Sequence, residues 1–127
     1  PSLELLQYIH SHKTGALIAA SVRIGAILGG ANEEQLEALT IYAHQLGLAF
    51  QITDDILDVV GKEEKIGKPV GSDEKNQKAT YPLLFGLEQS KVMAKEAVDT
   101  AIHALAPLGD GADMLKQLAL YLLSREN

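Results

Sequence analysis

Apolar residues recur along most of this 127-residue chain at spacings of three and four, the pattern of amphipathic α-helices. The spacing predicts helices over residues 2–12, 14–28, 33 to about 60, 80–105, and a last one after Pro107 and Gly109. No segment alternates apolar and polar residues with the period of two expected of a half-buried β-strand. The pattern therefore predicts an all-α fold, a helical bundle.

Short polar signals predict where three of these helices begin. Asn32 and Gln35 have the spacing of a capping box, in which each side chain accepts a hydrogen bond from the other residue's backbone N–H. Thr80 is expected to cap the helix that follows it. The last helix is expected to start with Asp110 or Asp113 as its cap.

The same pattern predicts which helices are buried. Residues 14–28 are mostly small and aliphatic, with Arg23 as their one charge, so we expect a buried and closely packed helix. The helix that starts at residue 33 is apolar around most of its circumference and is expected to be interior. In the last helix the residues expected to be buried are Leu115, Leu118, Leu122 and Leu123.

One strip of the central helix is polar. By helix geometry, a sector roughly 100° wide holds six of its residues: His44, Gly47, Gln51, Asp54, Asp55 and Asp58. Carboxylates clustered beside an apolar surface raise one another's pKa unless a cation is present. Oxygen ligands of this kind suit Mg²⁺ before Ca²⁺, and Mg²⁺ commonly shares its shell with substrate phosphates. A solvated acidic edge on a surface helix is the alternative that the aspartates alone leave open.

After the aspartates, residues 61–79 follow no helical period and are expected to form a loop. Five of the chain's 11 basic residues fall in this segment: Lys62, Lys65, Lys68, Lys75 and Lys78. A loop of this length inside a compact domain is usually functional or disordered. An ordinary charged surface loop is the alternative.

Composition narrows the class of protein. The length and the 46% hydrophobic share fit one modest domain, residues 1–127, with a core. A net charge of −6 argues against a nucleic-acid partner. The sequence has no cysteine, which fits a reducing cytoplasm, and no apolar run long enough to span a membrane. It also lacks the Glu-x-x-His pairs of a di-metal carboxylate bundle.

Three motifs occur in order: Lys13-Thr14-Gly15; Phe50-Gln51-x-x-Asp54-Asp55-x-x-Asp58; and Gly67-Lys68-x-x-Gly71-x-Asp73-x-x-x-x-Lys78-x-Thr80-Tyr81-Pro82. Their order and spacing closely resemble the second half of the trans-isoprenyl diphosphate synthases, and within them the bacterial farnesyl diphosphate synthases (geranyltranstransferases). The resemblance covers most of residues 9–87. It implies the C-terminal part of the all-α isoprenoid synthase fold.

The resemblance assigns diphosphate-binding roles to five residues. Asp54, Asp55 and Asp58 match the family's second aspartate-rich motif, whose carboxylates help to hold Mg²⁺ on the diphosphate of the allylic substrate. Lys68 and Lys78 match loop lysines that contact the same diphosphate as the site closes. Gln77 stands where the family often has a glycine before the second lysine, so the loop backbone is expected to differ there.

The resemblance places four further residues in the reaction cavity. Lys13, Thr14 and Gln51 would line the space where the allylic cation forms, and Lys13 would also reach diphosphate oxygens. Phe50 is similar to the aromatic residue near isopentenyl diphosphate. The implied reaction is a Mg²⁺-dependent prenyl transfer from an allylic diphosphate to isopentenyl diphosphate, giving farnesyl diphosphate or a similar short-chain product of isoprenoid biosynthesis.

The family's first aspartate-rich motif and the arginine pair after it do not occur in these 127 residues. We therefore expect the chain to be the C-terminal half of a larger polyprenyl synthase domain and to be inactive alone, with the N-terminal half of the same polypeptide as its partner. Apolar faces that this half would cover are expected to be exposed and to cause self-association, and the intact family is usually homodimeric. A helical binding or assembly module that kept the fold without catalysis is the alternative.

Overall fold

The computed structural model describes residues 4–5, 13, 15–66 and 80–125 of the chain. Its main elements are α1 (Ala16–Leu28), α2 (Glu33–Ile66), α3 (Tyr81–Phe85), α4 (Leu87–Ala104), a 3₁₀ helix (Ala106–Ala112) and α5 (Asp113–Ser124). No strand occurs in these described stretches, which confirms the all-α prediction. Most of the helix predicted over residues 2–12 lies outside them. None of the described helices is both long enough and apolar enough to cross a membrane.

Two of the predicted helix starts are confirmed by their hydrogen bonds. The N–H of Gln35 donates to Asn32 Oδ1 over 2.8 Å, and the N–H of Asn32 donates to Gln35 Oε1 over 3.1 Å. Thr80 Oγ1 accepts from the N–H of Leu83 over 3.2 Å at the start of α3. These caps depend only on residues close together in sequence, so the sequence alone was sufficient to find them.

The predicted cap of the last helix is wrong. The residue before α5 is Ala112, no side chain caps the helix, and Asp113 is its first helical residue. The 3₁₀ segment is interrupted at Gly109 (φ 60°, ψ −144°), and Asp110 lies in the short 3₁₀ turn between this kink and α5. Because the chain is already wound when it reaches α5, it offers no extended residue from which a side chain could fold back onto the free N–H groups.

Two helix boundaries also differ from the prediction. Helix α2 is 34 residues long and continues to Ile66, so Gly61 lies within it. A glycine inside a helix costs only about 1 kcal/mol, which a long packed helix tolerates. The helix predicted over 80–105 is interrupted at Gly86, whose φ of 85° an L-residue rarely adopts. The apolar spacing continues across this break and therefore did not indicate it.

The core lies where α4 and α5 pack against α2. Alanines on α4 allow the two long helices to approach closely, and the residues of this cluster are almost completely buried: Tyr42, Leu46 and Ala49 of α2, Ala97, Val98 and Ala101 of α4, and Ala119 and Leu122 of α5. The hydroxyl of Tyr42 donates to the carbonyl of Leu115 over 2.8 Å. A second cluster joins Ile52 and Ile56 to Tyr81 and Ala94. The central helix is interior, as predicted.

The prediction that residues 14–28 form a buried helix is wrong for this chain. Helix α1 packs along one side of α2, and Ala19 is its one buried residue. Leu17 is 70% exposed and Leu28 is 83% exposed. Of the leucines expected to be buried in α5, Leu118 is exposed. Apolar faces are therefore open to solvent on both helices, which agrees with the expectation that this chain exposes faces covered in a larger domain. The burial prediction failed because amphipathic spacing specifies an apolar face but not the element that covers it.

Candidate active site on the central helix

The start of α1 covers the N-terminal part of the polar strip, at Gly47. Gly47 and Gly15 are both buried, and a Cβ at position 47 would lie 3.1 Å from the Cα of Gly15. That distance is too short for an ordinary side-chain contact, so glycine at position 47 is what allows the two backbones to meet. The contact brings Gly15, and with it the nearby Lys13, to α2 one helical turn before Gln51. Lys13 is exposed at this junction.

Asp55 faces α3. Its Oδ2 accepts a hydrogen bond from the N–H of Tyr81 over 3.1 Å. The pKa of Asp55 is raised from 3.8 to about 6, chiefly because the carboxyl group is buried. The Tyr81 hydrogen bond lowers it, and the neighbouring charges of Asp54 and Asp58 raise it further. The sequence predicted that clustered carboxylates would raise one another's pKa, and here burial contributes more than repulsion.

Asp54 faces the end of α5. Arg125 Nη2 donates to Asp54 Oδ1 over 3.0 Å and to Thr53 Oγ1 over 3.1 Å. The guanidinium carbon of Arg125 lies 5.1 Å from the centre of the Phe50 ring, in the range of a cation–π contact. Thr53 is fully buried, and its hydroxyl donates to the carbonyl of Phe50 over 3.1 Å. One arginine thus contacts three residues on a single turn of α2.

Sequence reasoning missed Arg125. No motif contains it, and it is separated by 71 residues from Asp54. The one sequence feature that could have indicated it is its position, a basic residue at the C-terminal end of a helix. Such residues usually just interact favourably with the helix dipole and do not indicate a site.

The three aspartates lie on one side of α2 but have different surroundings. Asp54 is paired with Arg125, Asp55 with the backbone of Tyr81, and Asp58, one turn beyond Asp54, is exposed. Over the described residues, no group of three or more histidine, cysteine or acidic side chains converges as a closed metal cage would require. Mg²⁺ does not need such a cage, because it usually takes one or two carboxylates together with water and substrate phosphate. The oxygen donors and the crowded charge of Asp55 fit an open Mg²⁺ site of this kind.

The remaining predicted site residues divide into two groups. Gln51 and Phe50 are half-buried on the same stretch of α2, with Phe50 beneath Arg125. Thr14, Lys68 and Lys78 lie outside the described residues. The structure therefore brings together the glycine contact with the Lys13 motif, the aromatic residue and the carboxylates along one side of one helix.

Comparisons with known proteins all indicate the same protein family. The Polyprenyl synthetase family model matches residues 2–116. A dimethylallyltranstransferase from Fischerella ambigua is 50% identical over 97% of this chain, and a geranylgeranyl diphosphate synthase from Cyanophora paradoxa is 44% identical over 99%. A crystal structure from Marinomonas, provisionally described as a farnesyl-diphosphate synthase, aligns over 97% of this chain with a TM-score of 0.77 and 41% identity.

The chain is much shorter than these relatives. It spans 36% of the Fischerella protein, 42% of the Cyanophora protein and 40% of the Marinomonas chain. What the comparison shows for the matched part is therefore its family and its fold.

Proposed function

The chain belongs to the polyprenyl synthetase family, and we propose that α2 carries one wall of a Mg²⁺-dependent prenyltransferase site. In the protein that contains this chain, the site would join an allylic diphosphate to isopentenyl diphosphate. The observation that carries the proposal is the crowding of Asp54, Asp55 and Asp58 on a mostly buried helix. The pKa of Asp55 is raised to about 6 chiefly by burial, and the neighbouring charges of Asp54 and Asp58 add to the rise.

The aspartates and lysines would handle the diphosphate. Asp54 and Asp58 would hold Mg²⁺ beside the diphosphate, where the ion would supply positive charge to neutralise the negative charge that grows on the leaving group as the C–O bond breaks. Asp54 and Asp58 are one turn apart, so their carboxylates can share an ion with substrate oxygens. Lys13, held near α2 by the Gly15–Gly47 contact, would bind diphosphate oxygens. We assign Lys68 and Lys78 the same role from the sequence motif.

Neutral groups would protect the allylic cation. Gln51 offers an amide and Thr14 a hydroxyl, and the dipoles of these groups can stabilise a cation. Unlike water, these groups would not react with the cation. Phe50 would border the isopentenyl group from the same turn of α2. Isopentenyl diphosphate would attack the cation through its double bond, which would form the new C–C bond and leave a tertiary cation. Transfer of a proton from the adjacent carbon to the released diphosphate would then form the double bond of the product.

For the product we propose farnesyl diphosphate, made in the cytoplasm from dimethylallyl or geranyl diphosphate. The motif likeness to farnesyl diphosphate synthases supports this choice, and the provisional name of the Marinomonas structure agrees with it. The name of the Cyanophora relative points instead to the longer geranylgeranyl product. We further propose that the full-length protein is a homo-oligomer and that residues 1–127 alone are inactive.

A second candidate function is a helical binding or assembly module without catalysis. The observation that favours it is the open apolar face of α1, where Leu17 and Leu28 are largely exposed. Such a face suits a protein partner as well as it suits the rest of an enzyme domain.

The test is an assay of the full-length protein with Mg²⁺, isopentenyl diphosphate and either dimethylallyl or geranyl diphosphate. We expect a C15 product, and we expect Asp54→Ala and Asp58→Ala to reduce its rate by several orders of magnitude. A longer product would change only the chain-length assignment. No condensation product from either allylic substrate would leave the binding module as the better account.

A further inference from the structure

We propose that Arg125 is a positioning residue for Asp54, holding its carboxylate in the orientation that a metal ion requires. The inference deepens the proposed function and rests on it. The Arg125 hydrogen bond reaches Oδ1 of Asp54. It therefore engages one of the two carboxylate oxygens, and the second can still face an ion beside α2.

The guanidinium is itself held from three directions. It donates to the hydroxyl of Thr53, pairs with Asp54 and lies over the ring of Phe50. Phe50, Thr53 and Asp54 follow the i, i+3, i+4 spacing of a single helix face. Because the guanidinium is a rigid planar fork, these contacts fix where its N–H groups point. A carboxylate bonded to such a group has fewer orientations available than one in open solvent.

A purely stabilising role explains these contacts less well. The side chains of Arg125 and Asp54 are 24% and 43% exposed, so solvent screens this ion pair in part and reduces what it adds to folding stability. The Nε of Arg125 is also buried without a hydrogen-bond partner in the described part of the chain. An arginine that leaves one donor unsatisfied in order to reach Asp54 and Thr53 is better explained by what it does to Asp54.

The opposite effect on metal binding is also physically reasonable and must be separated from this one. A fixed positive charge beside a cation site repels the incoming ion, and a guanidinium bonded to Asp54 could compete with the ion for the carboxylate. Positioning predicts that removal of Arg125 weakens metal binding, whereas competition predicts that removal strengthens it. The sign of one measured change therefore decides between the two.

The experiment is a Mn²⁺ titration of the full-length protein in the presence of inorganic pyrophosphate, followed by electron paramagnetic resonance of free Mn²⁺. We expect Arg125→Ala to weaken Mn²⁺ binding by roughly 10- to 100-fold, the usual effect of removing a group that orients a metal ligand. Arg125→Lys keeps the charge but loses the planar fork, so we expect an intermediate loss. Unchanged or tighter binding in Arg125→Ala would overturn the proposal.

The matched control is Arg23→Ala. Arg23 Nη1 donates to Thr40 Oγ1 over 2.9 Å, so this variant also removes an arginine–threonine hydrogen bond to α2, far from the aspartates. We expect its Mn²⁺ affinity to equal that of the wild type. Thermal unfolding of every variant, without metal, gives the stability change against which the affinities are compared.

A double variant separates this inference from the proposed function. If Arg125 acts through Asp54, then Arg125→Ala has no further effect on Mn²⁺ binding in an Asp54→Asn background. Weakening of equal size in both backgrounds would overturn the positioning role. If Asp54→Asn weakens binding but Arg125→Ala does not, the inference fails and the proposed metal site stands. If Mn²⁺ with pyrophosphate does not bind the wild type, both fail.

Discussion

Helix α2 packs against α4 on one side and against α1 on the other, and these two helices differ in what they expose to solvent. Toward α4, the helix is sealed by alanines, and Ile52 and Ala101 are completely buried. Toward α1, it meets a more apolar helix whose outer residues are nevertheless open to solvent, with Ile24 59% exposed. The hydrophobic periodicity of α1 and α4 is similar. What differs is the outer face: that of α4 is charged, with Lys95, Glu96 and Asp99 exposed, whereas that of α1 is apolar and is not covered by any described residue. The sequence pattern does not specify which element covers an apolar face.

The sharpest test of this contrast compares two isoleucines. Ile52→Ala leaves a cavity in the α2–α4 core and should lower the free energy of unfolding of the 127-residue chain by about 2–5 kcal/mol. Ile24→Ala removes the same atoms from an exposed position on α1 and, in solutions dilute enough to keep the chain monomeric, should change it by less than about 0.5 kcal/mol. Denaturant unfolding measures both values. Equal losses would mean that the outer face of α1 is covered in solution.

Asp55 provides the next largest effect. Because its folded-state pKa of about 6 lies above the ordinary 3.8, folding favours the protonated carboxyl group. This group's contribution to stability is therefore most favourable below about pH 4, falls as the pH rises to about 6, and is level above that. Asp55→Asn keeps an oxygen that can accept from the N–H of Tyr81 and removes the charge.

We expect Asp55→Asn to be more stable than the wild type at pH 7 by about 1–2 kcal/mol, discounted for partial solvent screening. The difference should disappear below about pH 4. Denaturant unfolding at several pH values in a chelating buffer measures it. If the variant is less stable than the wild type at neutral pH, the charged carboxylate of Asp55 does not destabilise the folded chain.

A smaller effect separates two glycines of α2. Gly61 has open space where a Cβ would lie, whereas a Cβ at Gly47 would lie 3.1 Å from Gly15. Gly61→Ala should stabilise the chain by about 0.5–1 kcal/mol, the usual gain in helix propensity. Gly47→Ala should leave the stability of the chain unchanged or lower it, because the added Cβ would push Gly15 and the nearby Lys13 away from α2. Equal stabilisation by both would mean that α1 does not press against α2 at this point.

The exposed face of α1 gives a last test, on association rather than stability. Leu17→Gln with Leu28→Gln removes two of its most exposed apolar side chains. We expect the 127-residue chain to self-associate, and this double variant to do so less at the same concentration, with little change in unfolding. Light scattering across a concentration series measures it. A wild-type chain that stays monomeric at high concentration would contradict the prediction.

How far the sequence predicted the structure depended on the distance between interacting residues. The Asn32–Gln35 and Thr80–Leu83 caps connect residues three apart, and both were predicted. The break at Gly86 was missed because the apolar spacing runs through it. The positions of Asp54, Asp55 and Asp58 on one strip followed from helix geometry, but the hydrogen bonds of Asp54 and Asp55 depend on Arg125 and Tyr81. Both partners come from other helices, and no local pattern indicates them.

The claim that the acidic strip of α2 binds Mg²⁺ together with diphosphate can be tested residue by residue. The measurement is carboxyl ¹³C NMR of aspartate-labelled full-length protein, with Asn variants to assign the three signals, as Mg²⁺ and inorganic pyrophosphate are added. We expect the Asp54 and Asp58 signals to shift together in one saturable step, and the Asp55 carboxyl group to lose its proton at a lower pH than in the metal-free protein. Signals that stay unchanged up to millimolar Mg²⁺ with pyrophosphate present would contradict the account.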